Sequence, residues 1–212
     1  VIVAVTLSII TTLIGLIAQK IFIQLLGEIY LGLNGLFNNI ISMLSIADLG
    51  IGAAIVYNLY KPIAEENKER IATLMNFYKK SYRIIAIVIL ILGLCIMPFL
   101  NNIVDGEDIQ AIKVNIYIVF GLFLIDTIAS YLLTYKRSML YANQKNYIIN
   151  LVHIGYIVIL NILQIIILIL THNYYIYLLI KIICRILENI VITMLVNKMY
   201  PYLKEKVRSK LD

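Results

Sequence analysis

Apolar residues run along the chain in six long blocks, near residues 1–26, 33–59, 81–100, 112–134, 147–170 and 174–196, parted by short polar connections. A helix rises about 1.5 Å per residue, so each block approaches the roughly 20 residues that cross the ~30 Å hydrocarbon core of a bilayer. The blocks are too long for strands, and their polar residues recur at helical spacing. The pattern predicts an all-α polytopic membrane protein with six transmembrane helices, since in hydrocarbon only helices and closed barrels satisfy their own backbone.

The connections set a topology. Lys61, Lys68, Arg70, Lys79, Lys80 and Arg83 flank the second, Lys136, Arg137 and Lys145 the fourth, and Lys198, Lys204, Lys206, Arg208 and Lys210 the tail. The alternate connections hold Glu28, then Asp105, Glu107 and Asp108, then His172 and Asn173, with no Lys or Arg among these residues. Basic residues concentrate in cytoplasmic loops, so both termini are expected in the cytoplasm. Residues 1–203 read as one six-helix lobe and residues 204–212 as a basic cytoplasmic tail or inter-lobe linker. Residues 61–80 read as a cytoplasmic amphipathic connection, because Ile71, Leu74, Met75, Tyr78 and Tyr82 recur at three and four behind a charged stretch; a cytosolic extension of the third span fits the same pattern.

Polar residues inside the blocks fall in stripes. On the sixth helix Lys181, Arg185 and Glu188 point within about 60° of one another at 100° per residue. A charge at mid-bilayer costs roughly 2.5–3.5 kcal/mol on insertion scales, so three on one stripe must face protein or water. The second helix lines up Asn34, Asn38, Ser42, Ser45, Asp48 and Gly52 in a sector about 120° wide. Further stripes hold Asn150, His153, Asn161 and Gln164 on the fifth helix, Asn115, Asp126 and Ser130 on the fourth, and Ser8, Thr12, Gly15 and Gln19 before Lys20 on the first. Five helices thus present polar sides that suit a shared hydrophilic chamber, the alternative being packing seams. Arg185, Lys181 and Lys20 are its candidate cationic, substrate-binding wall. Asp48, Asp126 and Glu188 are candidates for ion coupling or charge balance, and Asn34, Asn38, Ser45, Asn161 and Gln164 for polar lining. His153 reads as a hydrogen-bonded helix residue.

Composition narrows the classes. The chain is 62% hydrophobic and 14% charged, too apolar for a soluble domain of its length. Its net charge of +6 sits in clusters between apolar blocks, a juxtamembrane pattern with no nucleic-acid-binding face. No glycine-rich phosphate loop, nucleotide-binding unit, catalytic constellation or metal-ligand spacing is present, so neither an enzyme nor a cofactor or metal is expected. Cys95 and Cys184 lie in apolar blocks and read as small buried hydrophobes. The chain opens at Val1 inside an apolar block, the expectation for a piece of a longer protein.

Two segments carry a resemblance: Leu26-Gly27-Glu28-Ile29-Tyr30-Leu31-Gly32-Leu33-Asn34-Gly35-Leu36-Phe37, and the run from Leu44-Ser45-Ile46-Ala47-Asp48 through Lys61-Pro62. With Tyr135-Lys136-Arg137-Ser138 through Asn146-Tyr147, and Asn197-Lys198-Met199-Tyr200-Pro201, they resemble the N-terminal part of bacterial polysaccharide flippases. These belong to the multidrug, oligosaccharidyl-lipid and polysaccharide exporter superfamily. The resemblance implies a multi-pass protein of the bacterial inner membrane that moves undecaprenyl-diphosphate-linked oligosaccharide outward for capsule, exopolysaccharide or O-antigen assembly. It also implies membrane lipid and a second six-helix lobe as partners, since this chain supplies one lobe of a two-lobe fold. A multidrug exporter of the same superfamily and a non-transporting membrane scaffold are the alternatives.

Overall fold

The computed structural model describes residues 2–45, 51–104 and 114–204, with the side chains of residues 2–10 and of Lys204 left outside the description. The expected site residue Asp48 lies outside the described residues, as does all but the first residue of the 204–212 tail. Among the described residues the fold is all helix with no strand. The helices are α1 (Ile2–Leu26), α2 (Glu28–Leu44), α3 (Ile51–Ala64), α4 (Lys68–Ile96), α5 (Ile116–Ala142), α6 (Asn146–Thr171) and α7 (Tyr174–Met199). After α4 a 3-10 turn at Met97–Phe99 and a helical turn at Leu100–Ile103 prolong it. Another 3-10 turn at Pro201–Lys204 follows α7.

Local chemistry explains the breaks. Gly27 takes φ 103°, a left-handed value open to glycine, and it alone separates α1 from α2. Asn67, Asn115 and Asn173 cap α4, α5 and α7 by accepting hydrogen bonds from the backbone N–H groups of the first turn, at 2.9–3.3 Å. Asn115 is thus a cap, and the polar stripe it was expected to begin on the fourth helix starts deeper.

Two stretches differ from the periodicity reading. The 61–80 stretch is no separate surface helix: α3 ends at Ala64, Asn67 caps the next helix, and α4 runs unbroken from Lys68 to Ile96. α5 continues past residue 134 to Ala142, carrying Lys136 and Arg137 inside a helix instead of in a connection. It continues because these cations find partners on α7, described below.

The core centres on α5, which packs against α2, α3, α4, α6 and α7, while α1 packs on α2 and α6. Val119, Phe120, Leu124, Met139 and Leu140 of α5 are buried. Phe37 of α2 meets Phe120 and Phe123 edge to face at 5.3 and 5.7 Å. Where α4 crosses α5 the Leu124 side chain seats against Gly93: a Cβ there would stand 2.6 Å from Leu124 Cδ1. Outward, Ile84, Ile87, Ile91 and Leu94 of α4 and Leu151, Ile159, Ile162 and Ile166 of α6 are exposed, apolar faces suited to lipid.

Three helical segments, Lys68–Ile103, Ile116–Ala142 and Asn146–Thr171, are long and apolar enough to cross a bilayer, which suggests a membrane protein. α7 matches them in length, yet holds Lys181, Arg185 and Glu188 along its middle. Cys95 is exposed on α4 and Cys184 is buried on α7, so only the second matches the expected small buried hydrophobe.

The glycine crossing gives a stability prediction. Gly93→Leu drives extra volume into a packed helix contact and lowers the thermal stability of the detergent-purified protein by an amount in the ~1–3 kcal/mol overpacking range. Gly15→Leu, with nothing within 4 Å of its Cβ position, leaves the unfolding temperature unchanged.

Candidate functional site

The three charges expected on one stripe of α7 do share a face, and that face is turned inward onto α5 and α6. Glu188 is 3% exposed. Its Oε1 forms an ion pair with Arg137 Nη2 of α5 at 3.0 Å and lies 3.0 Å from His153 Nδ1 of α6. Its Oε2 accepts from Arg185 Nη1 at 3.4 Å, one turn back on α7. One carboxylate therefore joins three helices. The short His153 contact requires a proton on Nδ1, since a carboxylate can only accept.

A second acid completes the arrangement. Asp126 of α5 is 8% exposed; its Oδ2 lies 3.3 Å from Lys181 Nζ and its Oδ1 3.8 Å from Arg185 Nε. Arg185 thus spans both acids. Aromatic faces seat the cations: the Arg185 guanidinium carbon lies 4.9 Å from the Tyr156 ring centroid, and Lys181 Nζ 4.9 Å from that of Phe123. Tyr156 in turn stacks on His153, with centroids 5.6 Å apart.

The cluster extends along the α5–α7 seam. Asn189, 2% exposed, accepts from Arg137 Nη2 at 3.0 Å and donates to the Ala129 carbonyl at 3.3 Å. Lys136, also buried, donates to Asn197 Oδ1 at 2.9 Å. Contacts advance in the same direction on both helices, from Asp126 with Lys181 to Lys136 with Asn197, so α5 and α7 run parallel.

Other expected site residues lie elsewhere or bond locally. Asn34 accepts from the Tyr174 hydroxyl at 2.7 Å, tying α2 to the start of α7. Gln164, buried on α6, donates to the Tyr177 carbonyl at 3.2 Å. Ser45 and Asn161 donate to carbonyls one turn back in their own helices, an ordinary way for a helix to absorb a polar side chain. Asn38 is exposed, and so is Lys20, which makes no ion pair with any described residue. The convergence is therefore a junction of α5, α6 and α7, and Lys20 is not brought to it.

Arg137 and Asn189 were not picked out by the polar-stripe reading. Arg137 was grouped with Lys136 as a loop cation, although it stands ~3 turns after Asp126 on the same face. Three permanent cations, Arg137, Lys181 and Arg185, face two carboxylates, leaving one positive charge before His153 is counted. No group of His, Cys, Asp and Glu among the described residues has metal-binding geometry.

A groove of about 810 Å³ opens beside the cluster, lined by Gly52, Ala53, Ala54, Val56, Tyr57, Asn58 and Tyr60 of α3, by Tyr82 of α4, by Thr134, Arg137, Ser138 and Tyr141 of α5, and by Asn146 of α6. Arg137 belongs to both the groove and the buried network. Comparison with known proteins adds no assignment: no family model matches the chain, and no curated protein or solved structure matches it.

Because removing a buried charge strands its partners, Glu188→Gln destabilises the protein by about 3–5 kcal/mol. Denaturant titration of the detergent-solubilised protein measures this, and Lys20→Gln, at an exposed position, leaves the midpoint within error of the wild type.

Proposed function

We propose that this chain is one lobe of an exporter that moves lipid-linked oligosaccharide across the bacterial inner membrane, with six spans and both termini in the cytoplasm. The observation that carries the reading is the cluster of buried Asp126 and Glu188 with half-buried Arg137, Lys181 and Arg185, set among apolar helices and keeping a net positive charge. An inert packing seam in lipid has no need of five ionised side chains, each costly to place there. The resemblance of the segments around Asn34, Asp48, Lys136 and Asn197 to polysaccharide flippases supplies the substrate class.

In this reading the cationic excess draws the diphosphate of the substrate toward the lobe, where an arginine fork binds two oxygens and a lysine acts as a point charge. Arg185 and Lys181 are held by Asp126 and Glu188, so they are positioned cations whose acids must yield before either binds an anion fully. A second six-helix lobe supplies the opposite wall, and the lipid tail stays in the bilayer.

One observation favours the scaffold alternative: every acid of the cluster is engaged within the chain, as expected of a device that locks helices. The same variant separates the readings. In the complete transporter, Arg185→Lys, which keeps the charge between Asp126 and Glu188 but removes the planar fork, lowers surface polysaccharide at least ~10-fold, the size of one lost charge-assisted hydrogen bond, while expression and unfolding temperature stay close to wild type. Loss of fold together with loss of export identifies a scaffold, and unchanged export contradicts the anion role of Arg185. If instead drug susceptibility rises with polysaccharide intact, the multidrug alternative holds.

A further inference from the structure

Beside the buried cluster, the groove between α3 and α5 has the chemistry of a binding site. Its inner wall includes Arg137, whose side chain is 18% exposed and whose Nη2 is taken by Glu188 and Asn189. The other terminal nitrogen, Nη1, makes no hydrogen bond with any described residue. Glu188 is shared with Arg185 and His153, so the charge of Arg137 is only partly compensated. Tyr57, 75% exposed, and Tyr141, 41% exposed, line the groove together with Asn58 and Asn146. Such amphipathic rings settle at the level of lipid headgroups. Lys61, Arg83 and Lys145 each follow or precede a lining residue, Tyr60, Tyr82 and Asn146, and add basic charge near the groove of the kind that gathers anionic lipid, Lys61 being shared with Glu65 at 3.8 Å. A volume near 810 Å³ falls within the ~300–1,000 Å³ usual for small-ligand sites.

We propose that this groove is a headgroup site for an anionic phospholipid of the surrounding bilayer, its phosphate bound by the free edge of the Arg137 guanidinium. The site is independent of the export reading: it sits on the flank of α3 and needs no second lobe. Its occupant couples to the buried network through Arg137 alone, because a phosphate on Nη1 and Glu188 on Nη2 share one guanidinium.

The test uses the full chain in nanodiscs of phosphatidylcholine with a minority of phosphatidylglycerol, the lipids that survive extraction being counted by native mass spectrometry. Phosphatidylglycerol is enriched on the wild type. Ala54→Trp, which fills the groove from an exposed position and leaves the ionic network intact, reduces that enrichment about tenfold, as Arg137→Gln does by removing the charged donor. Lys198→Gln, an exposed basic change away from the groove, keeps it. Enrichment that persists in Ala54→Trp overturns the proposal, and so does an equal fall in Lys198→Gln, which would make the effect one of general surface charge. Displacement of the lipid by millimolar inorganic phosphate assigns the groove to free phosphate and likewise overturns the lipid assignment.

Discussion

The carboxylate of Glu188 is the point on which the arrangement of α5, α6 and α7 turns. It is buried, pairs with Arg137 and accepts from Arg185, with His153 at contact distance, so one residue of α7 addresses two neighbouring helices at once. A buried ion pair is not in itself a source of net stability, because desolvation offsets most of the Coulomb gain. Its effect is on uniqueness. Helices as rich in Ile and Leu as α6 and α7 can slide and rotate against one another at small cost, and in a bilayer no hydrophobic force separates the right register from the wrong one. Moving α7 by one turn would part Arg137 from Glu188 and Lys181 from Asp126, leaving Glu188 only Arg185 of its own helix, a penalty of several kcal/mol that favours one register.

That register positions much of the rest. With α5 and α7 held parallel, Lys181 comes to Asp126 and Asn197 comes to Lys136. α5 then presents its other faces to Phe37 of α2 and to the close crossing at Gly93 of α4. The aromatic rings complete the network: Tyr156 stacks under Arg185 and beside His153, so the residue that spans both acids also has its flat face covered. The outer surfaces of α4 and α6 remain apolar, and polarity is concentrated where helices meet.

Period-3.6 reasoning made the inward stripe of Lys181, Arg185 and Glu188 legible, and the high cost of charge in hydrocarbon showed that it needed partners. It also singled out Asp126 and read His153 as a hydrogen-bonded helix residue, which its contact with Glu188 bears out. What periodicity cannot supply is which face meets which. Asn38 and Lys20 occupy polar faces that turn outward among the described helices, and Ser45 and Asn161 spend their hydrogen bonds on their own backbones. The Lys136-Arg137 pair was misplaced because hydropathy falls before the helix ends: α5 goes on as a helix where its cations are answered by Asn197, Asn189 and Glu188. The continuation of α4 through Lys79 and Lys80 was obscured in the same way, by a change of composition without a change of conformation.

Arg137 and Glu188 form a coupled pair, and a double-mutant cycle on their stability tests this most directly. Arg137→Met, Glu188→Met and the double variant are compared by reversible denaturant unfolding in one detergent. Each single change strands a buried charge, so the double variant is predicted to be more stable than the sum of the two losses implies, by at least ~1 kcal/mol. Strictly additive losses would show that the two side chains do not depend on each other, and would contradict the claim that this contact sets the register of the bundle.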